Sequence, residues 1–479
     1  MTKRSRRMIS PIFTLFAALL IIFPILVSAL TTATAMTTTT TTNEMPTLKG
    51  VVFDMDDTLV RSNLDIPAMY RKVFGKDPSD LGNFDILKEI REIECSEDQA
   101  RAHRIIDEME EESRQKMKLM PGCVELLTWL SAHNIPFALV TRNTRKTTGI
   151  FSETLRDIQQ EKLRRGHENL ALSFRQIITR DDKGTDSCPI PPKPDPTAMK
   201  IIAKESFDVS NENGQLTPEI LMVGDSIAND VVFGRNAGVR TALLTTDESS
   251  FDAADICVEK LTELPGKIWK HFELEGSLGN TEEANQTPLH GSPPPTPQSE
   301  LSRAVLDGDV ATVRSLLDNL SLDEVTRADE ENKNTALIWA AEVGNPELAS
   351  LLVETVVGKL NDLGSDKSDE RLVSFVNHRG FLGATALNRA ARRGHKHVME
   401  SLLSNQREAA NCFDLDIPNA KLQHPLHFAA FKKHPEALEF LLQCGANPWV
   451  LDRKGRTPFE DTSCETCKAL LREAMGSRQ

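Results

Sequence analysis

The chain has 479 residues and a formal net charge of −14, and this length is too great for a single hydrophobic core. Excluding the four basic residues near the N-terminus makes the charge −18 (−14 − 4), so the chain has no broad electrostatic attraction to nucleic acid. Its eight cysteines are scattered without metal-ligand clustering, which favours reduced thiols over a disulfide framework. We therefore expect more than one folded domain and no nucleic-acid partner.

The N-terminal segment has the composition of a targeting sequence. Four basic residues precede the apolar run Ile12–Leu30, and Ala33-Thr34-Ala35 supplies a small-residue cleavage site. Residues 1–35 are thus predicted to be a secretory signal peptide, although the apolar run is also long enough for an uncleaved membrane anchor. The threonine-rich leader at 36–47 resembles a transit peptide placed behind a signal, which would send the protein to an organelle such as a plastid. Translation from a later methionine would instead give a cytoplasmic protein.

A short apolar run that ends in carboxylates follows this leader. Val51–Phe53 reads as a buried strand of a parallel sheet, and Asp54, Asp56 and Asp57 come directly after it. Ligands of open α/β sheets bind beyond the carboxyl ends of the strands, so these acids lie where such folds carry out chemistry. Like charges this close together favour a bound divalent cation with oxygen ligands.

Further polar groups follow later apolar runs or lie in turns. The run Ile135–Val140 is followed by Thr141, and the run Ile220–Val223 is followed by Gly224 and Asp225. Between these runs a lysine lies between prolines in a stiff turn. In chain order the groups are Thr141, Lys193, Asp225 and Asp230. A hydroxyl, a lysine and two sets of carboxylates together form a site for a phosphoryl group. Strands that alternate with helices predict an α/β fold with a doubly wound parallel sheet.

These four motifs, in this order, resemble those of the haloacid dehalogenase superfamily of phosphohydrolases. The resemblance covers residues 48–273, with a Rossmann-like core and a small helical cap at about 62–119. It implies that Asp54 is the nucleophile and that Asp56 is the general acid and then the general base. An acid at position 56 argues against carbon–halogen chemistry, because the dehalogenases of the superfamily lack one there. Asp57 departs from many relatives, which carry glycine.

The resemblance also implies which residues hold the phosphoryl group and the metal. Thr141, Arg142 and Lys193 would bind the phosphoryl oxygens. Mg²⁺ would be the cofactor, and its ligands would be Asp54, Asp56 through its backbone carbonyl, Asp225 and Asp230. Arg142-Asn143 beside Thr141 is similar to a phosphoglycolate phosphatase-like branch.

A change in composition separates this region from a repetitive C-terminal half. Residues 274–299 are rich in Gly, Ser, Thr and Pro and are predicted to be a linker. One apolar pattern then recurs as TALIWAA at 335–341, TALNRAA at 385–391 and HPLHFAA at 424–430. These copies resemble ankyrin repeats, so residues 300–476 are expected to form an all-α solenoid.

Irregular spacing between the copies predicts two insertions. Equivalent leucines lie 50 residues apart from Leu337 to Leu387 and 39 apart from Leu387 to Leu426, whereas the ankyrin period is about 33. The extra residues are expected near 358–370 and 411–417. Lys433 replaces the glycine that usually ends the first helix of a unit, which should strain that turn.

The sequence as a whole predicts a Mg²⁺-dependent phosphatase acting on a small phosphorylated metabolite, joined to an ankyrin module that binds a protein. A phosphomutase with the same aspartyl-phosphate is one alternative. An ankyrin scaffold with a non-catalytic sensor domain is another. Membrane association is expected only if the N-terminal segment is an uncleaved anchor.

Overall fold

The computed structural model describes residues 45–61, 63–76, 86–184, 187–209, 216–274, 296–364, 370–403 and 410–477. The predicted leader, including Ile12–Leu30, lies outside these ranges. Within them, none of the helices is both long and apolar enough to cross a membrane. We call residues 46–274 the sheet domain and residues 296–477 the helical stack.

A six-stranded parallel sheet organises the sheet domain, and it confirms the predicted α/β class. Its order is β5-β4-β1-β6-β7-β8, so the strand that carries Asp54 lies centrally. Two further short strands, β2 and β3, pair antiparallel outside this sheet. The strands are β1 Gly50–Phe53, β2 Val60–Arg61, β3 Lys118–Leu119, β4 Phe137–Val140, β5 Ile177–Ile178, β6 Ile220–Gly224, β7 Arg240–Leu244 and β8 Ile256–Val258.

Side chains that alternate along the central strand serve both faces of this sheet. Val51 and Phe53 belong to the hydrophobic cluster on one face, and Val52 belongs to the cluster on the other. Both faces are covered by helices, which is why the strands are apolar throughout. These helices are α4 Cys123–Ala132, α5 Arg145–Arg164, α6 Thr197–Ser206, α7 Val232–Ala237 and α8 Leu264–His271.

Three helices between β2 and β3 form the cap. They are α1 Ile66–Phe74, α2 Ile86–Arg91 and α3 Ser96–Gln115, and they bury a small apolar cluster of their own. Polar contacts from α3 hold the cap against α5 and the end of β5. Arg114 Nη1 donates to Thr147 Oγ1 at 3.3 Å, and Arg180 forms two hydrogen bonds to Glu110 at 2.8 and 3.1 Å.

Successive pairs of antiparallel helices build the helical stack, as the ankyrin resemblance implies. Small alanines on the inner helices allow close packing around one continuous core. The helices are α9 Glu300–Asp307, α10 Val310–Asn319, α11 Leu322–Thr326, α12 Ala336–Val343, α13 Pro346–Asp362, α14 Glu370–Val376, α15 Ala386–Arg393, α16 Lys396–Leu403, α17 Pro425–Phe431, α18 Pro435–Gln443, α19 Pro458–Asp461 and α20 Glu465–Ser477. Lys433 has a φ of 61°, which confirms the strained turn.

The helical stack packs directly against the sheet domain. The indole of Trp129, a buried residue of α4, donates to the carbonyl of Arg453 at 3.2 Å. Leu451 of the stack lies within the apolar cluster of the sheet domain, and Asn447 Nδ2 donates to Glu125 Oε1 at 2.5 Å. The two halves therefore share buried apolar surface, which the sequence did not predict.

Candidate active site

The ends of β1 and β6 bring the predicted carboxylates together. These strands are adjacent, with Phe53 opposite Val223, and the backbone N–H of Asp54 donates to the carbonyl of Val223 at 2.9 Å. Carboxylate oxygens of Asp54, Asp225 and Asp230 all lie within 4.8 Å of one another. Asp54 and Asp225, which lie 171 positions apart in sequence, therefore belong with Asp230 to one acidic cluster at the carboxyl edge of the sheet.

Gly224 makes room for one member of this cluster. A Cβ at Gly224 would lie 2.3 Å from the carboxylate of Asp230, a distance that no side chain tolerates. Asp230 is buried, and its Oδ2 accepts a hydrogen bond from the backbone N–H of Ser226 at 3.0 Å. A short π-helical turn, Ile227–Val231, directs it back towards the strand end.

Lys193 bridges two of the three carboxylates. Its Nζ lies 2.5 Å from Asp54 Oδ1 and 2.6 Å from Asp230 Oδ1, and the residue is buried. Burial alone would lower the pKa of Lys193, but the charges of Asp54 and Asp230 outweigh it and raise the pKa above its ordinary value. Lys193 therefore stays protonated.

One lysine does not neutralise the cluster. Desolvation and the charge of Asp54 raise the pKa of Asp225 to about 7, and burial raises the pKa of Asp230. Burial contributes most to both shifts, and neighbouring carboxylates add to them, so three carboxylates with one lysine keep an excess of negative charge. Hard oxygen donors with excess negative charge are what Mg²⁺ binds, so the residues present fit that cation.

Asp56 faces a different set of neighbours. Its Oδ2 accepts a hydrogen bond from Asn143 Nδ2 at 2.7 Å, and the backbone N–H of Asn143 donates to Thr141 Oγ1 at 3.1 Å. Burial and the nearby charge of Asp54 raise the pKa of Asp56 to about 6, while the hydrogen bond from Asn143 opposes the rise. Asp56 can thus exchange a proton near neutral pH.

The backbone at Asp57 explains how the loop accommodates an aspartate where many relatives carry glycine. Asp57 has a φ of 50°, in the left-handed region that glycine adopts without strain and aspartate tolerates better than most residues. Its N–H donates to the carbonyl of Val60 at 2.7 Å. The departure therefore preserves the loop conformation.

Comparison with known proteins agrees with this geometry. Residues 48–238 match the model of haloacid dehalogenase-like hydrolases. A haloacid dehalogenase-like hydrolase domain-containing protein of Arabidopsis thaliana is 30% identical over 247 residues, which are 49% of this chain and 89% of the relative. The chain belongs to the haloacid dehalogenase-like hydrolases. Residues 370–452 match three ankyrin repeats.

Two further relatives match the same hydrolase region. An uncharacterised hydrolase of Saccharomyces cerevisiae is 30% identical over 224 residues, 45% of this chain and 89% of the relative. Phosphoglycolate phosphatase 1 of Pseudomonas aeruginosa is 30% identical over 213 residues, 41% of this chain and 68% of the relative. The likeness to phosphoglycolate phosphatases is therefore distant, while membership among the hydrolases is secure.

A cavity of about 300 Å³ is lined by the residues that the sequence predicts to bind a phosphoryl group. Thr141 and Lys193 line one side, together with the predicted residue Arg142. Arg91 and His103 of the cap line another side. The cavity is thus bounded by core and cap, and basic groups predominate in it.

The structure brings most of the predicted residues into one site, at differing distances from the acidic cluster. The carboxylate of Asp56 points to Asn143 and lies outside the three-carboxylate group, so any metal contact through its backbone carbonyl stays a prediction. Sequence reasoning assigned no chemical role to Asn143. Its position two residues after Thr141 was the available signal.

Proposed function

We propose that the protein is a Mg²⁺-dependent phosphatase that hydrolyses a small phosphomonoester through an aspartyl-phosphate. The observation that carries this proposal is the pairing of two differently placed acids at one strand end. Asp54 lies against Lys193 within the acidic cluster, whereas Asp56 accepts a hydrogen bond from Asn143 and has a pKa of about 6. This difference supports a nucleophilic role for Asp54 and a proton-donating role for Asp56.

In the first half-reaction, a carboxylate oxygen of Asp54 forms a bond to phosphorus and the ester oxygen leaves. Asp56, in its protonated form, transfers its proton to that oxygen, so the product is a neutral alcohol. Lys193 and Thr141 hold phosphoryl oxygens as the charge shifts. Asn143 keeps the Asp56 carboxyl in place through its 2.7 Å hydrogen bond.

In the second half-reaction, water attacks the same phosphorus atom. Asp56, now ionised, takes a proton from that water, and the bond between Asp54 and phosphorus breaks. Inorganic phosphate leaves and both acids return to their starting states. Asp54, Asp225 and Asp230 would hold Mg²⁺, which supplies charge neutralisation for the phosphoryl oxygens.

The cavity between cap and core supports a small and polar leaving group. Its volume of about 300 Å³ lies at the lower end of ligand pockets. Arg91 and Arg142 line it together with Arg180, which is paired with Glu110, and Asp181 is the one acid among its described lining residues. We infer that the favoured esters carry a second acidic group, such as a carboxylate, on the leaving group.

The test is phosphate release by the full chain across a panel of phosphomonoesters with and without a carboxylate, in Mg²⁺ or in chelator. Asp54→Asn should abolish turnover. Asp57→Asn is the matched control, because it makes the same chemical change in the same loop at a residue with no proposed chemical role. Absence of Mg²⁺-dependent release by the native chain on every ester would refute a phosphatase.

Two outcomes would favour the alternatives. A trapped phospho-enzyme that turns over only with a sugar-phosphate acceptor would favour the phosphomutase. Partner binding by the native chain without any turnover would favour the scaffold with a sensor domain. The ankyrin repeats, in either case, support a protein-binding role for the helical stack.

Localisation is a separate proposal that depends on the leader. We infer entry into the secretory pathway, with an organelle as the destination. Fusion of residues 1–50 to a fluorescent protein tests this, against the chain starting at Met45. Diffuse cytoplasmic fluorescence of both would contradict it.

A further inference from the structure

The inner surface of the helical stack contains a groove of about 520 Å³. It is lined by the inner helices α12, α15 and α17 and by the loops that precede α15 and α17. Its described lining residues all belong to the stack. The described contacts with the hydrolase lie elsewhere, at residues such as Asn447, Trp449 and Arg453. Packing against the hydrolase therefore leaves the groove accessible.

Charge in this groove is opposite to that of the chain. Its cations are Arg389, Arg392, Arg393, Lys421 and Lys432, and among its described lining residues Glu342 is the single acid. Arg393 Nε donates to Glu342 Oε1 at 2.8 Å, and Arg389 lies 3.7 Å from the same carboxylate. The groove thus carries a net charge of +4 (five cations less one acid) within a chain of net charge −14. Such a concentration of charge attracts an anionic partner.

Apolar side chains lie exposed between these cations. Phe431 is 53% exposed and Leu382 is 37% exposed, and both line the groove. The Lys432 ammonium lies 5.5 Å from the centroid of the Phe431 ring. Exposed apolar surface rimmed by charge is typical of a protein-binding site.

The backbone at Leu382 adds an independent observation. Leu382 has a φ of 58°, a left-handed conformation that is unfavourable for a leucine, and its side chain stays partly exposed in the groove. Residues held in such unfavourable backbone conformations are concentrated at functional sites, including ligand-binding sites.

We propose that this groove binds an extended acidic segment of a partner protein, with its carboxylates at the cationic rim and one bulky apolar side chain on Phe431 and Leu382. The proposal rests on the protein-binding role proposed for the stack and adds the chemistry of the partner. A peptide fits better than nucleic acid, because the chain as a whole has a net charge of −14, which repels a long polyanion, while a short segment contacts only the groove.

The test uses the full chain and a fluorescein-labelled oligoglutamate peptide with a central phenylalanine, followed by fluorescence polarisation at several salt concentrations. The native chain should bind this peptide, and binding should weaken with salt. Lys421→Glu combined with Lys432→Glu should weaken it by about tenfold or more, as expected for reversal of two interface charges. Phe431→Ser should erase the preference for the phenylalanine peptide over the same peptide with serine.

A matched control distinguishes binding in the groove from general electrostatic attraction to the chain. Lys200→Glu combined with Lys267→Glu reverses two exposed lysines of the hydrolase domain and should leave peptide binding unchanged. Equal weakening by both double variants would overturn the proposal, as would tighter binding of a single-stranded oligonucleotide through the same lysines. The groove variants should keep the phosphatase activity of the native chain, which is measured in parallel. Failure of the peptide-binding proposal is therefore distinguishable from failure of the proposed catalytic function.

Discussion

Gly455 lies in a turn of the helical stack where the backbone meets the hydrolase domain. Its φ is 71°, and a Cβ there would lie 2.4 Å from Pro265 Cβ and 2.8 Å from the backbone nitrogen of Gly266. Gly308 has nearly the same φ of 73°, but a Cβ there would meet nothing within 4 Å. Comparing substitutions at the two glycines therefore distinguishes the cost of backbone strain from the cost of a clash between the domains.

Replacement of each glycine by alanine has a different expected effect on the free energy of unfolding. Gly308→Ala should lower it by about 1 kcal/mol, the cost of a left-handed alanine. Gly455→Ala has the same cost and also forces the clash with the hydrolase backbone, which adds about 1–3 kcal/mol as overpacking does. We therefore expect a loss of about 2–4 kcal/mol at Gly455.

Urea unfolding followed by tryptophan fluorescence measures this difference. Of the four tryptophans, Trp129 and Trp449 lie at the domain contact, where the Trp129 indole donates to the carbonyl of Arg453 and Lys260 lies over the Trp449 ring, so part of the emission reports on separation of the two domains. Gly455→Ala should shift the transition to lower urea and should expose Trp129. Equal destabilisation by the two variants would refute the reasoning, because it would mean that the stack does not press on the hydrolase at this turn.

Three predictions concern the active site. Lys193→Met should lower kcat by about 10²-fold or more, because it removes a preorganised charge. Lys200→Met, at an exposed lysine, should leave kcat unchanged. Phosphate release measures both variants, and equal rates would contradict the role of Lys193. Asn143→Ala removes a hydrogen bond that favours ionised Asp56, so the pKa of Asp56 should rise. The alkaline limb of the profile of kcat/KM against pH should then move to higher pH. An unmoved limb would contradict the role of Asn143. Gly224→Ala displaces the carboxylate behind it, so half-maximal activity should require more Mg²⁺, and an unchanged requirement would contradict this packing.

The sequence predicted the acidic cluster because Asp54 and the segment from Asp225 to Asp230 each come at the end of a short apolar run. In a parallel sheet, strands that are distant in the chain end at one edge, so Asp54 and Asp225 had to lie near each other once both runs were strands. The bridging position of Lys193 was not derivable in this way. It depends on a turn that the proline-rich segment builds, and the sequence indicated a lysine for the phosphoryl group without showing that this lysine would bridge Asp54 and Asp230.

Other features of the molecule depend on side-chain orientation, which the sequence does not indicate. Asn143 lies 87 residues from its partner Asp56, and nothing in the pattern around it indicates which way the amide points. The contact between Trp129 and Arg453 spans 324 residues and joins two predicted domains. A periodic pattern reports which face of an element is buried, but it does not report the surface that covers that face.

The irregular spacing of the repeats acquires a physical meaning from the contact between the domains. The extra residues predicted near 411–417 include Asp414, whose Oδ2 lies 3.2 Å from Nε2 of His167 in the hydrolase domain. Asp416, in the same insertion, accepts a hydrogen bond from the backbone N–H of Asn447 at 3.0 Å, and Asn447 in turn contacts the hydrolase. This second departure from the ankyrin period thus lies where the stack touches the hydrolase domain. The groove lies elsewhere on the stack, along the inner helices α12, α15 and α17 and the loops that precede α15 and α17. One surface of the stack is therefore modified to hold the hydrolase, while the surface that carries the cationic groove stays accessible to a partner.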